Sequence, residues 1–100
     1  MIVILAEAKI AEKDLEKART AGKIMAEKSS AEQGCNLYAF SEDLNEPGLI
    51  RITEEWDSED DLKRHFTEPH MADFQKTLGE IEVISMKAEK YTVSGKGKVM

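Results

Sequence analysis

The side chains of this 100-residue chain best suited to chemistry are two histidines, His65 and His70, a lone tryptophan, Trp56, and a lone cysteine, Cys35. His65 stands among Leu62 and Phe66, and His70 among Met71 and Phe74. A neutral imidazole with apolar neighbours can take a proton from a phenol or an enol. The competing use is a packed ring bonded to a backbone carbonyl. As a metal pair the histidines look poor. Five residues of helix turn through about 140°, Pro69 interrupts between them, and no cysteine cluster adds ligands. No metal is expected.

On the strand before, Asn36 shares its side with Tyr38 and Phe40. If that side meets the helices, Asn36 is a buried polar group that needs a partner, which a ligand could be. Glu54 and Glu55 precede Trp56, and alternation turns one of them inward. The plainer use of that residue is an edge salt bridge. Cys35 cannot form an internal disulfide and suits a small buried apolar position. There is no GxGxxG, no P-loop and no GxSxG, so nucleotide, flavin and acyl-serine chemistry find no support. No cofactor is expected.

The elements that must position these residues follow from periodicity. Residues 2–9 are dense in β-branched and apolar types and predict a strand. From Ala11 the spacing becomes helical, with Leu15, Ala18, Gly22, Met25 and Ser29 along one stripe. Gly22 costs about 1 kcal/mol in a helix interior unless it permits close approach to a sheet. Cys35 to Ser41 predicts a second strand, a polar turn carries Pro47-Gly48, and Leu49 to Trp56 is the return strand of a hairpin. Ser58 suits an N-cap for a helix bearing Leu62, His65 and Phe66, with Lys63 and Arg64 towards solvent. Pro69 opens a second short helix bearing Met71, Phe74 and Leu78, and Gly79 closes it. Glu82 to Val93 is the last strand. Residues 1–93 form one domain and 94–100 a flexible tail.

The order β-α-β-β-α-β predicts an α+β, ferredoxin-like antiparallel sheet with helices on one face. The strands are apolar on both sides, with Ile2/Ile4/Ala6 against Val3/Leu5 and Ile84/Met86/Ala88 against Val83/Tyr91/Val93. One helical layer covers one face, so the second face calls for a partner sheet, supplied by a two-fold homodimer. The composition, 41% hydrophobic and 34% charged, is that of a soluble globular domain. A net charge of −6 argues against nucleic acid as a partner. No apolar run is long enough for a membrane span, the N-terminus lacks the flanks of a signal peptide, and the expected location is the cytoplasm.

The stretches Gly34-Cys35-Asn36-Leu37-Tyr38, Glu54-Glu55-Trp56-Asp57-Ser58 and His65-Phe66-Thr67-Glu68-Pro69-His70-Met71-Ala72-Asp73-Phe74 resemble the antibiotic biosynthesis monooxygenase family of dimeric α+β barrel proteins. The resemblance implies a cofactor-independent monooxygenase that uses dioxygen on a quinol or polyphenolic aromatic substrate. The substrate would supply the electrons, and the protein a base, a dry pocket and orientation. It implies His65 as catalytic base or proton shuttle, and Asn36, Tyr38, Trp56, Phe66, His70 and Phe74 as substrate-binding residues. Haem-degrading relatives carry Asn, Trp and His where this chain has Ala8, His65 and Gln75, so haem degradation is not implied. A proton-transferring isomerase of a phosphorylated signalling sugar shares a segment similar to His65, Thr67, Pro69 and His70. The remaining alternative is a non-catalytic dimer that binds a small aromatic or serves a stress response.

Overall fold

The computed structural model describes all 100 residues. Four strands and three α-helices follow the predicted order: β1 (Ile2–Ile10), α1 (Leu15–Ser30), β2 (Cys35–Glu42), β3 (Leu49–Trp56), α2 (Glu59–His65), α3 (Pro69–Leu78) and β4 (Val83–Thr92). The sheet is antiparallel throughout, in the order β2-β3-β1-β4. This is the ferredoxin-like α+β fold. No helix is long and apolar enough to cross a membrane.

The helix expected from Ala11 starts later. Glu12–Asp14 form a 3-10 turn, because the Asp14 carboxylate is drawn away to accept from the Glu82 backbone N–H at 2.8 Å. The small-residue stripe of α1 meets the sheet as its composition suggests. A Cβ on Gly22 would lie 3.1 Å from the Phe40 ring, so the glycine permits this close approach. Ser58 caps α2, accepting from the Asp61 N–H at 3.2 Å, and Pro69 takes the first turn of α3, where its missing N–H costs nothing.

Alternation holds in β3, where Ile50, Ile52, Glu54 and Trp56 all turn inward and are buried. It fails at two irregularities. In β2 the register shifts between Cys35 and Leu37, and Asn36 is the extra residue. In β4 a shift opposite Lys9 and Ile10 brings Val83 against Ile10 and the inner core, leaving Ile84 exposed. Val83 therefore does not share a face with Tyr91, as simple alternation predicts. Two clusters make up the core. One joins Ile2, Met25, Tyr38, Ile52, Trp56 and Leu62, and the other Ala8, Ile10, Leu15 and Ile50.

Candidate active site

Between the helix-facing side of the sheet and the α2–α3 corner lies a cleft of about 700 Å³. Its floor includes Ile4, Ala6, Ile52 and Glu54, and its aromatic walls are Tyr38, Phe66 and Phe74. Met86, Ala88 and Lys90 of the edge strand β4 line the remaining side. Eleven of its seventeen lining residues are hydrophobic, which suits an aromatic guest.

Of the three carboxylates that line the cleft, Glu54, Glu59 and Glu89, only Glu54 is buried. Glu54 is 8% exposed, and its Oε1 accepts the Trp56 indole N–H at 2.9 Å. Burial holds its proton affinity above the usual carboxylate range, against the Trp56 hydrogen bond, which pulls the other way. Tyr38 is paired opposite Glu54 across the β2–β3 ladder. Burial first, then the Glu54 charge, keeps its phenol protonated far past the ordinary tyrosine range. The cleft therefore combines a buried proton acceptor with a buried hydroxyl that stays a donor.

Behind this wall lies a second polar cluster. His65, at the end of α2, is 1% exposed, and its ring centroid lies 4.8 Å from that of Trp56 and 5.4 Å from that of Tyr38. Its Nδ1 is 2.6 Å from Glu32 Oε2, and His70 Nε2 is 2.7 Å from the same oxygen. The expectation that helical geometry keeps the two rings apart does not hold. The helix ends at His65 and a new one starts at Pro69, so the bend between them turns both rings to one carboxylate.

The sequence-derived residues thus separate. Tyr38, Phe66 and Phe74 line the cleft, while Trp56, His65 and His70 stand behind or beside it. Asn36 sits on the β2 irregularity, exposed, and its amide donates to Asp57 at 2.8 Å rather than to anything inside. Two residues gain importance. The inward member of the Glu54/Glu55 pair was signalled by alternation with Ile50, Ile52 and Trp56. Glu32 had no such signal, since it lies in the turn after α1 and meets the histidines only through the tertiary fold.

Fold and cleft together define a ferredoxin-like domain with a buried acid in an aromatic pocket. The model of the antibiotic biosynthesis monooxygenase family matches residues 1–77, and the chain belongs to that family. A crystal structure of a candidate antibiotic biosynthesis monooxygenase from Deinococcus radiodurans is 26% identical, with a TM-score of 0.93, covering 100% of this chain and 99% of that one. A Bacteroides thetaiotaomicron protein of unknown function, described as a possible oxidoreductase, is 28% identical with a TM-score of 0.83, over 90% of this chain and 94% of its own. A candidate antibiotic biosynthesis monooxygenase from Nitrosomonas europaea shares the fold, at 18% identity and a TM-score of 0.88, over 95% of this chain and 100% of that one. No curated protein sequence matches the chain at a significant level.

Proposed function

We propose that this chain is a monooxygenase that oxygenates a quinol or polyphenolic aromatic in the α2–α3 cleft, with Glu54 as the proton acceptor. The observation that carries the reading is a buried carboxylate in the wall of a largely apolar, aromatic-lined cleft, whose other charged groups, Glu59, Lys63, Glu89 and Lys90, all stand at more exposed positions. The reaction needs little else from the protein. Glu54 takes the quinol O–H proton, and the electron-rich anion passes one electron to dioxygen. The resulting semiquinone and superoxide combine in a ring C–O bond. The peroxide takes up a proton, the ring C–H proton leaves, and the O–O bond breaks to give a carbonyl and water. In sum, one quinol and one dioxygen give one hydroxyquinone and one water. A substrate that fills the cleft would displace its water and so protect the radical pair, and Tyr38 would offer a donor to the developing oxyanion.

His65 is the proton acceptor that resemblance suggests, but it lies behind the Tyr38 and Trp56 rings and does not line the cleft. Oxygen consumption with a panel of hydroquinones and anthrones separates the two. Glu54→Gln should lose at least about 100-fold in rate, the usual lower bound for a general base, while His65→Gln keeps most of it. Tight aromatic binding without oxygen uptake by the wild type would leave a binding protein instead.

The working unit we propose is a homodimer. The sheet face away from the helices carries Val3, Leu5, Leu37, Ala39 and Tyr91, and Leu5, Leu37 and Tyr91 are each about 45% exposed. Only 15 of 100 residues are buried within one chain, few for a domain that must stand alone. A second copy packed on that face would cover these residues.

A further inference from the structure

We propose that Glu32, His65 and His70 form a binding site for one borderline divalent transition ion of the Zn²⁺ type, separate from the cleft and independent of the oxygenase reading. Three observations support it. The ligands come from three elements, the turn after α1, the last residue of α2 and the first turn of α3, and their donor atoms all lie within 4.8 Å of one another. Both imidazoles aim a nitrogen at a single carboxylate oxygen, at 2.6 and 2.7 Å. The side chains are 1%, 10% and 9% exposed for His65, His70 and Glu32, so few water molecules compete for the donors.

Two imidazoles and one carboxylate are a donor set that such ions take, usually with water in the fourth position. Ligands at about 2.0–2.1 Å from a tetrahedral ion stand about 3.3 Å from each other. The two Glu32 contacts are shorter than that by well under an ångström. An outward swing of the Glu32 side chain, with the two rings, whose donor nitrogens stand up to 4.8 Å apart, closing toward each other, converts a carboxylate that accepts two imidazole hydrogen bonds into a three-point cage. Each ring then carries its proton on the other nitrogen, and the ion's charge takes the place of the two N–H dipoles. The bound ion would clasp the α1–β2 turn to the α2–α3 corner. It would stand behind Trp56 and Tyr38, without a place in the cleft itself.

The test is uptake of the metal alone. Protein stripped with a chelator and then titrated with Zn²⁺ in a calorimeter should bind one ion per chain, and Co²⁺ should give visible ligand-field bands of a four-coordinate site. His70→Gln keeps an amide that can donate to Glu32 but removes a strong ligand. It should bind at least about 100-fold more weakly, beyond the 10–100-fold that loss of an outer-shell partner costs, with an unchanged circular dichroism spectrum. Because the chain is acidic, a stoichiometric signal that survives unchanged in His70→Gln is surface binding and overturns the site. Absence of equimolar uptake by the wild type overturns it as well. Neither result bears on oxygen consumption, so the oxygenase reading stands or falls separately.

Discussion

Replacing Glu54 with glutamine should make the protein more stable at pH 8 and leave it without its proton acceptor. The reasoning starts from burial. Glu54 is enclosed by Tyr38, Ile52 and Trp56, with Lys63 and Glu59 of α2 and Glu89 and Lys90 of β4 around the cleft, and with His65 and Glu32 behind. Its folded proton affinity is raised above the value of 4.5 expected of the unfolded chain. Below pH 4.5 both states hold the proton and the group is neutral in each. As the pH rises, the unfolded chain releases its proton first, so folding stability falls until the pH passes the raised folded value. Above that the penalty is constant. Glutamine does not titrate and keeps an oxygen for the Trp56 N–H. That hydrogen bond drops from about 1.5–3 kcal/mol with a charged acceptor to about 0.5–1.5 with a neutral one. The relieved desolvation penalty is several kcal/mol. The balance is a gain of at least about 1 kcal/mol at pH 8 and close to zero at pH 4. Urea unfolding of both proteins at the two pH values measures it. If Glu54→Gln is less stable than wild type at pH 8 while equal to it at pH 4, the charge is well compensated and Glu54 is not a poised base.

Other consequences follow from local geometry. Burial, with the Glu32 charge next, pushes the Cys35 thiol up to about 11. At pH 8 that lowers the thiolate fraction about 100-fold, and the greater nucleophilicity of a more basic thiolate offsets part of this, so alkylation by iodoacetamide should be about tenfold or more slower than that of a free cysteine; an equal rate would contradict the shift. Gly34 has φ +84°, and a Cβ there would collide with the Asp61 side chain. Gly34→Ala should cost at least about 2 kcal/mol in urea unfolding, combining left-handed strain with displacement of Asp61; a loss under half of that refutes it. Leu5→Arg places a charge in the middle of the uncovered sheet face and should shift the sedimentation mass from twice 11.2 kDa to the single-chain value. A wild type that sediments as one chain at micromolar concentration refutes the dimer.

Periodicity made most of the fold legible. Strand alternation located β3 and its inward residues, the α1 stripe announced the close approach at Gly22, and Ser58 and Pro69 marked both short helices because their capping chemistry is local. What periodicity cannot carry is a register shift. Counting in twos puts Val83 and Asn36 on the wrong faces, because a single extra residue in each strand shifts the register. The site was half legible for the same reason. Tyr38, Phe66 and Phe74 lie on elements whose inner side can be read, whereas Glu32 joins His65 and His70 across more than thirty residues of chain. The break at Pro69 is legible in the sequence, but the direction of the bend is not, and it is that direction that turns both rings to Glu32.

The irregularity at Asn36 explains why Tyr38 reaches the cleft. Cys35 pairs with Trp56, and Leu37 with Glu55, so Asn36 has no place in the ladder. Were β2 regular from Cys35 onward, Tyr38 would oppose Thr53 and point to the outer face. The extra residue returns it to Glu54. Deletion of Asn36 should therefore be tolerated. Leu37 still pairs with Glu55, the next residue back is Cys35 opposite Trp56, and the cost is about 1 kcal/mol for the exposed Asn36–Asp57 hydrogen bond. Deletion of Ala39 has the opposite effect. It leaves Phe40 in register but turns Tyr38 and Leu37 each to the other face, with Asn36 taken into the ladder opposite Glu55 and Cys35 still opposite Trp56, exposing a side chain whose burial is worth about 1.5–3 kcal/mol and placing Leu37 over Glu54. Urea midpoints and oxygen uptake distinguish the two. The Asn36 deletion should keep both near wild type, and the Ala39 deletion should lose both. If removal of Asn36 abolishes uptake while the protein stays folded, Asn36 acts on the substrate and Tyr38 owes its position to something other than this irregularity.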